Sequence, residues 1–359
     1  MKIAIIANIF NPVGSNALGG LEQFSYNLAS ELYNRGENVS LYASGDSEKA
    51  PFLKPIVPLS LQFSKSEEYL AVPWNYRKIT VEEFAAFTKL IQEIDGETIV
   101  HFNLVNFLPL YLAAKRKLKT LTTLHMSTSN AHFEIIQRLL SGEEVDKLNF
   151  IGVSKRQMTG YRGKFHLIHH GVNLEQYSFS SSPKKNSYVW IGRMVKEKGL
   201  DAAIDAANKS GVSLAVGGEA KLANEVEYFK SIKHLFTDNI KNSGYITIDK
   251  KSEFYSAKAT IFSSLMNEAF GLTIIESMAC GTPVIAYKTG AAEEIIEDGV
   301  DGYLVEQGDI KGIYDSIQKI ESMNTDDYLK MRNRCREKIE NKFDFKKMVD
   351  HYLKIYKQL

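Results

Sequence analysis

NEAFGLTIIESMACGTPV, residues 267–284, reads as a buried helix running into a buried strand, yet it carries two glutamates eight positions apart. With TIFSS (260–264) as the strand before it, the helix starts near Leu272 or Thr273. Glu268 then lies in the loop ahead of the helix and Glu276 in its first turn or so, both facing strand ends. An acid in a first helical turn complements the helix dipole, which explains Glu276 without a ligand. Glu268 has no such explanation.

The same alternation extends outward from this stretch. Upstream stand SYVWIGR (187–193), a helix from about Gly199, SLAVGG (213–218) and a helix rich in Lys and Glu; downstream stand PVIAY (283–287) and GYLV (302–305). The first half repeats the pattern. IAIIANIF (3–10) is followed by Leu21, Phe24, Leu28 and Leu32 at helical spacing, which Gly36 stops. NVSLYA (38–43), TIVHFN (98–103), TLTTLH (120–125), NFIGVS (149–154) and FHLIHH (165–170) are further strands. Strands alternating with helices predict parallel sheets covered on both faces. The expected fold is α/β, two doubly wound Rossmann-like domains facing across a cleft, with ligands at the carboxyl ends of the strands. The expected boundaries are 1–172 for the first domain, 173–186 for a polar, serine-rich linker and 187–340 for the second domain. Residues 341–359 form a terminal helix, whose stripe of Phe345, Met348, Tyr352 and Ile355 needs a docking surface, expected on the first domain.

Composition narrows the function. The 359 residues are 44% hydrophobic and 24% charged, as in a globular protein, and the formal net charge is +1. No global field draws the chain to nucleic acid. Cys280 and Cys335 give neither a disulfide framework nor metal-ligand spacing, so the expected setting is reducing and cytoplasmic. No run of 18 apolar residues occurs to span a bilayer. The basic run AAKRKLK (113–119) either complements a helix end or rests on the anionic face of a membrane.

Loops after strands hold the candidate chemistry. In NPVGSNALGGLEQF (11–24), Gly19 and Gly20 precede a helix and permit an anion close to its N-terminus, although taken alone the loop reads better as a turn needed only for packing. In WIGRMVKEKGL (190–200), Arg193 and Lys198 are either cations suited to a diphosphate, one as a fork and one as a point charge, or solvated surface residues. A carboxylate is a bidentate acceptor for vicinal hydroxyls, so one glutamate of 268 and 276 suits a sugar and the other a ribose. Their use as a hydrolytic acid and base is a rival, because loop and helix positions do not fix their separation. His101 and His125 both end strands, as ligand-facing groups or as satisfied hydrogen-bonding groups. Trp74 and Tyr76 either line an acceptor site or pack on a helix.

With these residues in place the chain resembles the large retaining glycosyltransferase family with two facing Rossmann-like domains, the GT-B fold. The resemblance rests on Glu268-x7-Glu276 followed by SMACGTPVIA, on GRMVKEKG and HHGVN, and on the early GGLEQF, in the expected order. It implies that Arg193 and Lys198 bind the donor diphosphate and that backbone amides at Phe270, Gly271, Leu272 and Thr273 meet its phosphates. It implies Glu276 on the nucleotide ribose and Glu268 on the transferred sugar. His125 faces that sugar, while His101, Gly290 and Glu294 support. Ala291 stands where the family often has a second glycine, which puts the close backbone approach there in doubt. The resemblance further implies transfer from a nucleoside-diphosphate sugar to a glycan, lipid-linked or small-molecule acceptor, with retention, no metal and no cofactor. A sugar-nucleotide epimerase or hydrolase of the same architecture, and a non-catalytic sugar-nucleotide binder, are the alternatives.

Overall fold

The structure, a computed structural model, describes residues 1–17, 19–61, 73–104, 106, 108–126, 131–158, 162–181 and 187–359, with side chains at 73–80 and 131–133 left out. The side chains of Trp74 and Tyr76 thus lie outside the described residues. The chain forms two compact units, residues 1–168 with 349–359, and residues 169–348.

The first unit holds a seven-stranded parallel sheet of β1 (Lys2–Ala7), β2 (Asn38–Ser44), β3 (Leu53–Val57), β4 (Ile99–Asn103), β5 (Lys119–Leu124), β6 (Asn149–Gly152) and β7 (Lys164–Leu167), in the order β3-β2-β1-β4-β5-β6-β7. The second unit holds a six-stranded parallel sheet of β8 (Ser187–Ile191), β9 (Ser213–Gly217), β10 (Ile240–Gly244), β11 (Ala259–Phe262), β12 (Val284–Tyr287) and β13 (Gly302–Val305), ordered β10-β9-β8-β11-β12-β13. Each sheet is Rossmann-like, with flanking helices. Central strands such as β11 and β12 are buried at every residue, as the doubly covered position of a parallel strand requires.

Two strands escape the sequence reading, and both are sheet edges. β3 contains Pro55, which an edge tolerates because a missing N–H there costs no central ladder bond. β10, IKNSG, buries only its first residue fully, so it carries no apolar run.

The terminal helix Phe345–Tyr356 buries Met348, Val349, Tyr352 and Tyr356; Phe345 and Ile355, both expected on this stripe, are only partly buried. The stripe turns toward Tyr356 because a buried phenol needs a partner. The Tyr356 hydroxyl lies 2.6 Å from His101 Nδ1, and the Tyr352 hydroxyl 3.0 Å from Thr123 Oγ1. Residues 349–359 belong to the first unit, whereas 341–348 belong with the second, so the division falls inside this helix. Among the described residues no helix is long and apolar enough to cross a membrane.

Candidate functional site

In the second unit the strand order reverses between β8 and β11, and ligands of open parallel sheets bind at the carboxyl ends beside such a reversal. The loop after β8 carries Arg193 and Lys198; the loop after β11 carries Ser263 to Gly271. Gly199 lets the two loops touch. Its φ is +67°, and a Cβ there would lie 2.1 Å from the Ser263 carbonyl oxygen. Ser263 Oγ donates to the Gly199 carbonyl at 2.7 Å.

This contact delivers Lys198 to Glu268. The Lys198 ammonium pairs with Glu268 Oε1, and Ser264 Oγ donates to the same oxygen at 2.8 Å. Both side chains are about four-fifths buried, at 21% and 19% exposure. Both bonds fall on Oε1, so Oε2 has no partner among the described residues. On the other side the loop rests on Thr289 and Gly290. Thr289 Oγ1 donates to the Ser264 carbonyl at 3.1 Å. Gly290 has φ +56°, and a Cβ there would lie 2.2 Å from the Glu268 carbonyl oxygen. The close approach that Ala291 put in doubt is therefore made at Gly290. Ala291, fully buried with φ −92°, holds a conformation open to any L residue.

The helix Leu272–Ala279 begins where expected, capped by Gly271 in the left-handed region at φ 100° with no side-chain cap. Its leading N–H groups, at Leu272 and Thr273, form the positive end of the helix dipole. Phe270 is buried, its ring 5.4 Å from His170 and 5.9 Å from Phe343. Phe270 thus contributes backbone to this corner while its side chain anchors the loop. His169 Nε2 lies 3.0 Å from Glu294 Oε2, which gives Glu294 its place.

Glu276 lies just past the first turn of this helix, and it is buried. Lys251 Nζ donates to Oε1 at 2.5 Å and the Tyr255 hydroxyl to Oε2 at 2.9 Å. The Tyr177 phenol lies beside the same carboxylate; burial first, then the Glu276 charge, raises its pKa. Two segments distant in sequence, the helix Ile248–Phe254 with its cap Tyr255 and the stretch at Tyr177, therefore converge on one carboxylate.

Arg193 does not join this cluster. Its side chain is 61% exposed, and its guanidinium lies 3.9 Å from Glu225, whose other oxygen caps the helix Ala223–Ile232.

In the first unit the order reverses between β1 and β4. Gly19 is the extended N-cap of the helix that starts at Gly20. The space beside Gly19 is filled by the buried Glu22 carboxylate, which accepts from Asn11 Nδ2 at 3.2 Å. His125 is partly buried; its Nε2 donates to Asn103 Oδ1 at 3.0 Å, and its ring meets the edge of Phe24 at 4.7 Å. His101 is a core residue. It is fully buried, both ring nitrogens are bonded, to Tyr356 and Thr123, and burial holds its pKa down to about 3. Its supporting role is to fix the terminal helix on the sheet.

The basic run is largely spent internally. Lys115 pairs with Glu144 at 2.8 Å, Arg116 donates to the Ile91 and Ile94 carbonyls, and Lys119 lies 3.5 Å from Glu97. Among the described residues, no group of three or more His, Cys, Asp or Glu is placed to hold a metal ion.

Lys251, Tyr255, Ser264 and His169 were not read as site residues from sequence. His169 lies in the quoted HHGVN and Ser264 ends the quoted TIFSS, four residues before Glu268; Lys251 and Tyr255 meet Glu276 only through tertiary contact, so no local spacing marks them.

Residues 175–342 match the model of the glycosyl transferases group 1. The chain is 28% identical over 193 residues to an uncharacterized glycosyltransferase of Methanocaldococcus jannaschii, a match spanning 54% of this chain and 53% of that protein. It is 23% identical, over 99% of its length and 97% of the relative's, to the N-acetyl-alpha-D-glucosaminyl L-malate synthase of Bacillus anthracis. Its fold is similar to that of Anabaena HepE, solved in complex with UDP and glucose, with a TM-score of 0.74 at 18% identity and full coverage of both chains.

Proposed function

We propose that the chain acts as one of the glycosyl transferases group 1, whose model matches residues 175–342, and we add a finer reading. It moves a sugar from a nucleoside-diphosphate donor to a hydroxyl-bearing acceptor, with retention of anomeric configuration and without metal or cofactor. One observation carries it: the Lys198–Glu268 pair stands at the reversal of the sheet, directly ahead of a helix N-terminus that no side chain caps.

The chemistry follows from donors and acceptors. An ammonium has three N–H groups, and Glu268 takes one, so Lys198 keeps two for phosphate oxygens. The N–H groups of Leu272 and Thr273 add the positive helix end, as anion sites at helix termini do. Arg193, which makes a long contact to Glu225, supplies a fork for the same diphosphate. These groups stabilise the charge that grows on the leaving diphosphate, the task a divalent ion would otherwise perform. Glu268 Oε2 accepts a hydroxyl of the transferred sugar, and Glu276 accepts the ribose hydroxyls. The acceptor attacks from the face the diphosphate leaves, so no protein nucleophile is needed. Donor-side roles for Gly19, Gly20 and His125 rest on the family resemblance.

The acceptor class is a glycan, a lipid-linked carrier or a small molecule. UDP and glucose in the Anabaena structure support UDP-glucose as the first donor to test. We place the reaction in the cytoplasm, on the ground that Cys280 and Cys335 are both free thiols.

The test is a thermal-shift panel of UDP, GDP and their sugars, followed by turnover with the best donor, with and without EDTA. A diphosphate should raise the melting temperature by mass action. Turnover should survive the chelator, and proton NMR should show the donor's anomeric configuration in the product. No stabilisation by any nucleotide would overturn the donor reading. Loss of turnover in EDTA, restored by Mn²⁺, would overturn the metal-free step, and an inverted product would overturn retention.

A further inference from the structure

Each glutamate of the Glu268/Glu276 element is matched to its own lysine. Lys198 pairs with Glu268, and Lys251, from the helix Ile248–Phe254, pairs with Glu276 at 2.5 Å. The second pair is the more enclosed, with side chains 18% and 10% exposed against 21% and 19% for the first. Glu276 also accepts from the buried Tyr255 hydroxyl at 2.9 Å, and the Tyr177 phenol lies beside it. Neutral phenols would suffice to orient a carboxylate. A lysine adds a charge, and the structure must therefore be asked what that charge is for.

A carboxylate is the best acceptor for vicinal hydroxyls, because its bonds are charge-assisted. Beside a nucleoside diphosphate, however, it is a like charge. At the effective dielectric of a protein surface, like charges this close repel and weaken binding of the diphosphate. A cation on the carboxylate removes most of that repulsion while leaving the oxygen lone pairs to the hydroxyls, since each carboxylate offers about four acceptor sites. Building on the donor reading above, we propose that Lys251 is the counter-charge that lets Glu276 hold a ribose next to a diphosphate. It acts through Glu276 and is a positioning residue for nucleotide binding. The element thus presents two hydroxyl-accepting carboxylates, each with its charge compensated by a separate segment of the unit.

Buried ion pairs of this kind add little to folding when compared with apolar replacements, yet breaking one by removing a single partner destabilises the fold. That asymmetry yields the test, a double-mutant cycle on UDP affinity measured by calorimetry, with folding checked by circular dichroism. K251M in the otherwise unchanged chain should weaken UDP about tenfold or more, because an uncompensated carboxylate then faces the diphosphate. K251R, which keeps the charge, should stay within about threefold of the parent. E276Q removes the charge that Lys251 compensates, so K251M added to E276Q should change UDP affinity by less than about twofold. The double variant should also recover the melting temperature lost in K251M, which keeps the cycle readable if the single variant is too unstable to titrate.

An equal loss from K251M in both backgrounds would overturn the proposal, since Lys251 would then meet the phosphates directly. Undiminished UDP affinity in folded K251M would overturn it too, and would leave a structural pair. Failure of the unchanged chain to bind UDP, GDP or their sugars is a separate result, and it would remove the donor reading itself.

Discussion

Gly290→Ala is the substitution that most directly tests how the loop around Glu268 is held. A Cβ at residue 290 would sit 2.2 Å from the Glu268 carbonyl oxygen, 2.9 Å from its nitrogen and 3.0 Å from its carbonyl carbon. Real Cβ contacts do not fall below 3.0 Å, so the two backbones must part by about 0.8 Å or more. Alanine at φ +56° adds about 1–2 kcal/mol of left-handed strain. Overpacking against backbone adds about 1–3 kcal/mol. The second unit should therefore lose about 2–5 kcal/mol. Activity should suffer more sharply, because the displaced residue is the one bonded by Lys198 and Ser264. A 1 Å misplacement at a reacting centre costs about 100-fold, so kcat should fall by about that factor. UDP affinity should change only a few-fold, since Lys251, Tyr255 and Glu276 do not touch residue 290. The matched control is Ala291→Gly, which recreates a double glycine without adding an atom; it should lower stability by about 1 kcal/mol and leave kcat alone. Steady-state kinetics with UDP calorimetry and thermal melts on both variants decide it. Parental kcat in folded Gly290→Ala would refute the claim that this contact sets Glu268.

The two glutamates should separate by ligand. Glu276→Gln should weaken UDP and the donor sugar alike, whereas Glu268→Gln should keep UDP affinity and lose kcat, the sign of a contact stronger in the transition state; calorimetry and turnover check both. Lys198→Ala should cost about 1.5–3 kcal/mol of UDP binding, the range for charged hydrogen bonds, and Arg193→Ala should cost less because its side chain is 61% exposed and screened. Undiminished UDP affinity in both would remove the diphosphate cradle. Glu83 supplies a pH test: it is buried with Asn106 Nδ2 as its one bonded partner among the described residues, and burial raises its pKa from 4.5 to about 7. The folded state then holds a proton that the unfolded state releases near pH 4.5, so this contribution is full below that pH and lost as pH rises through about 7. Between pH 5.5 and 8 the parent should lose about 2 kcal/mol relative to Glu83→Gln in urea unfolding, and parallel curves would show that Glu83 is not proton-bound in the fold.

How much of this site the sequence revealed depends on where each residue's partner lies. The position of Glu268 ahead of a helix was legible because strand, loop and helix are consecutive, and periodicity alone fixes their order. The central strands were legible for the same reason, since burial on both faces leaves an unbroken apolar run in β11 and β12. β3 and β10 carry no such run, because an edge strand needs apolar residues on little of its surface. His101 and His125 look alike in sequence, each a histidine ending a strand, and the structure divides them through the terminal helix more than 220 residues away. Tyr356 and Tyr352 bury one histidine, while Asn103 and Phe24 hold the other partly open. Lys251 and Ser264 show the limit most clearly. A lysine in IDKKSEF and a serine at the end of TIFSS have local readings that call for nothing more. Their meaning comes from the carboxylates they meet, and the loop that carries one of these, Glu268, is held by glycines. Gly199 and Gly290 press on opposite sides of one loop, at 2.1 Å and 2.2 Å from a Cβ neither possesses. The charge pattern at this corner is thus set by where the backbone may come close, and only then by which side chains carry charge.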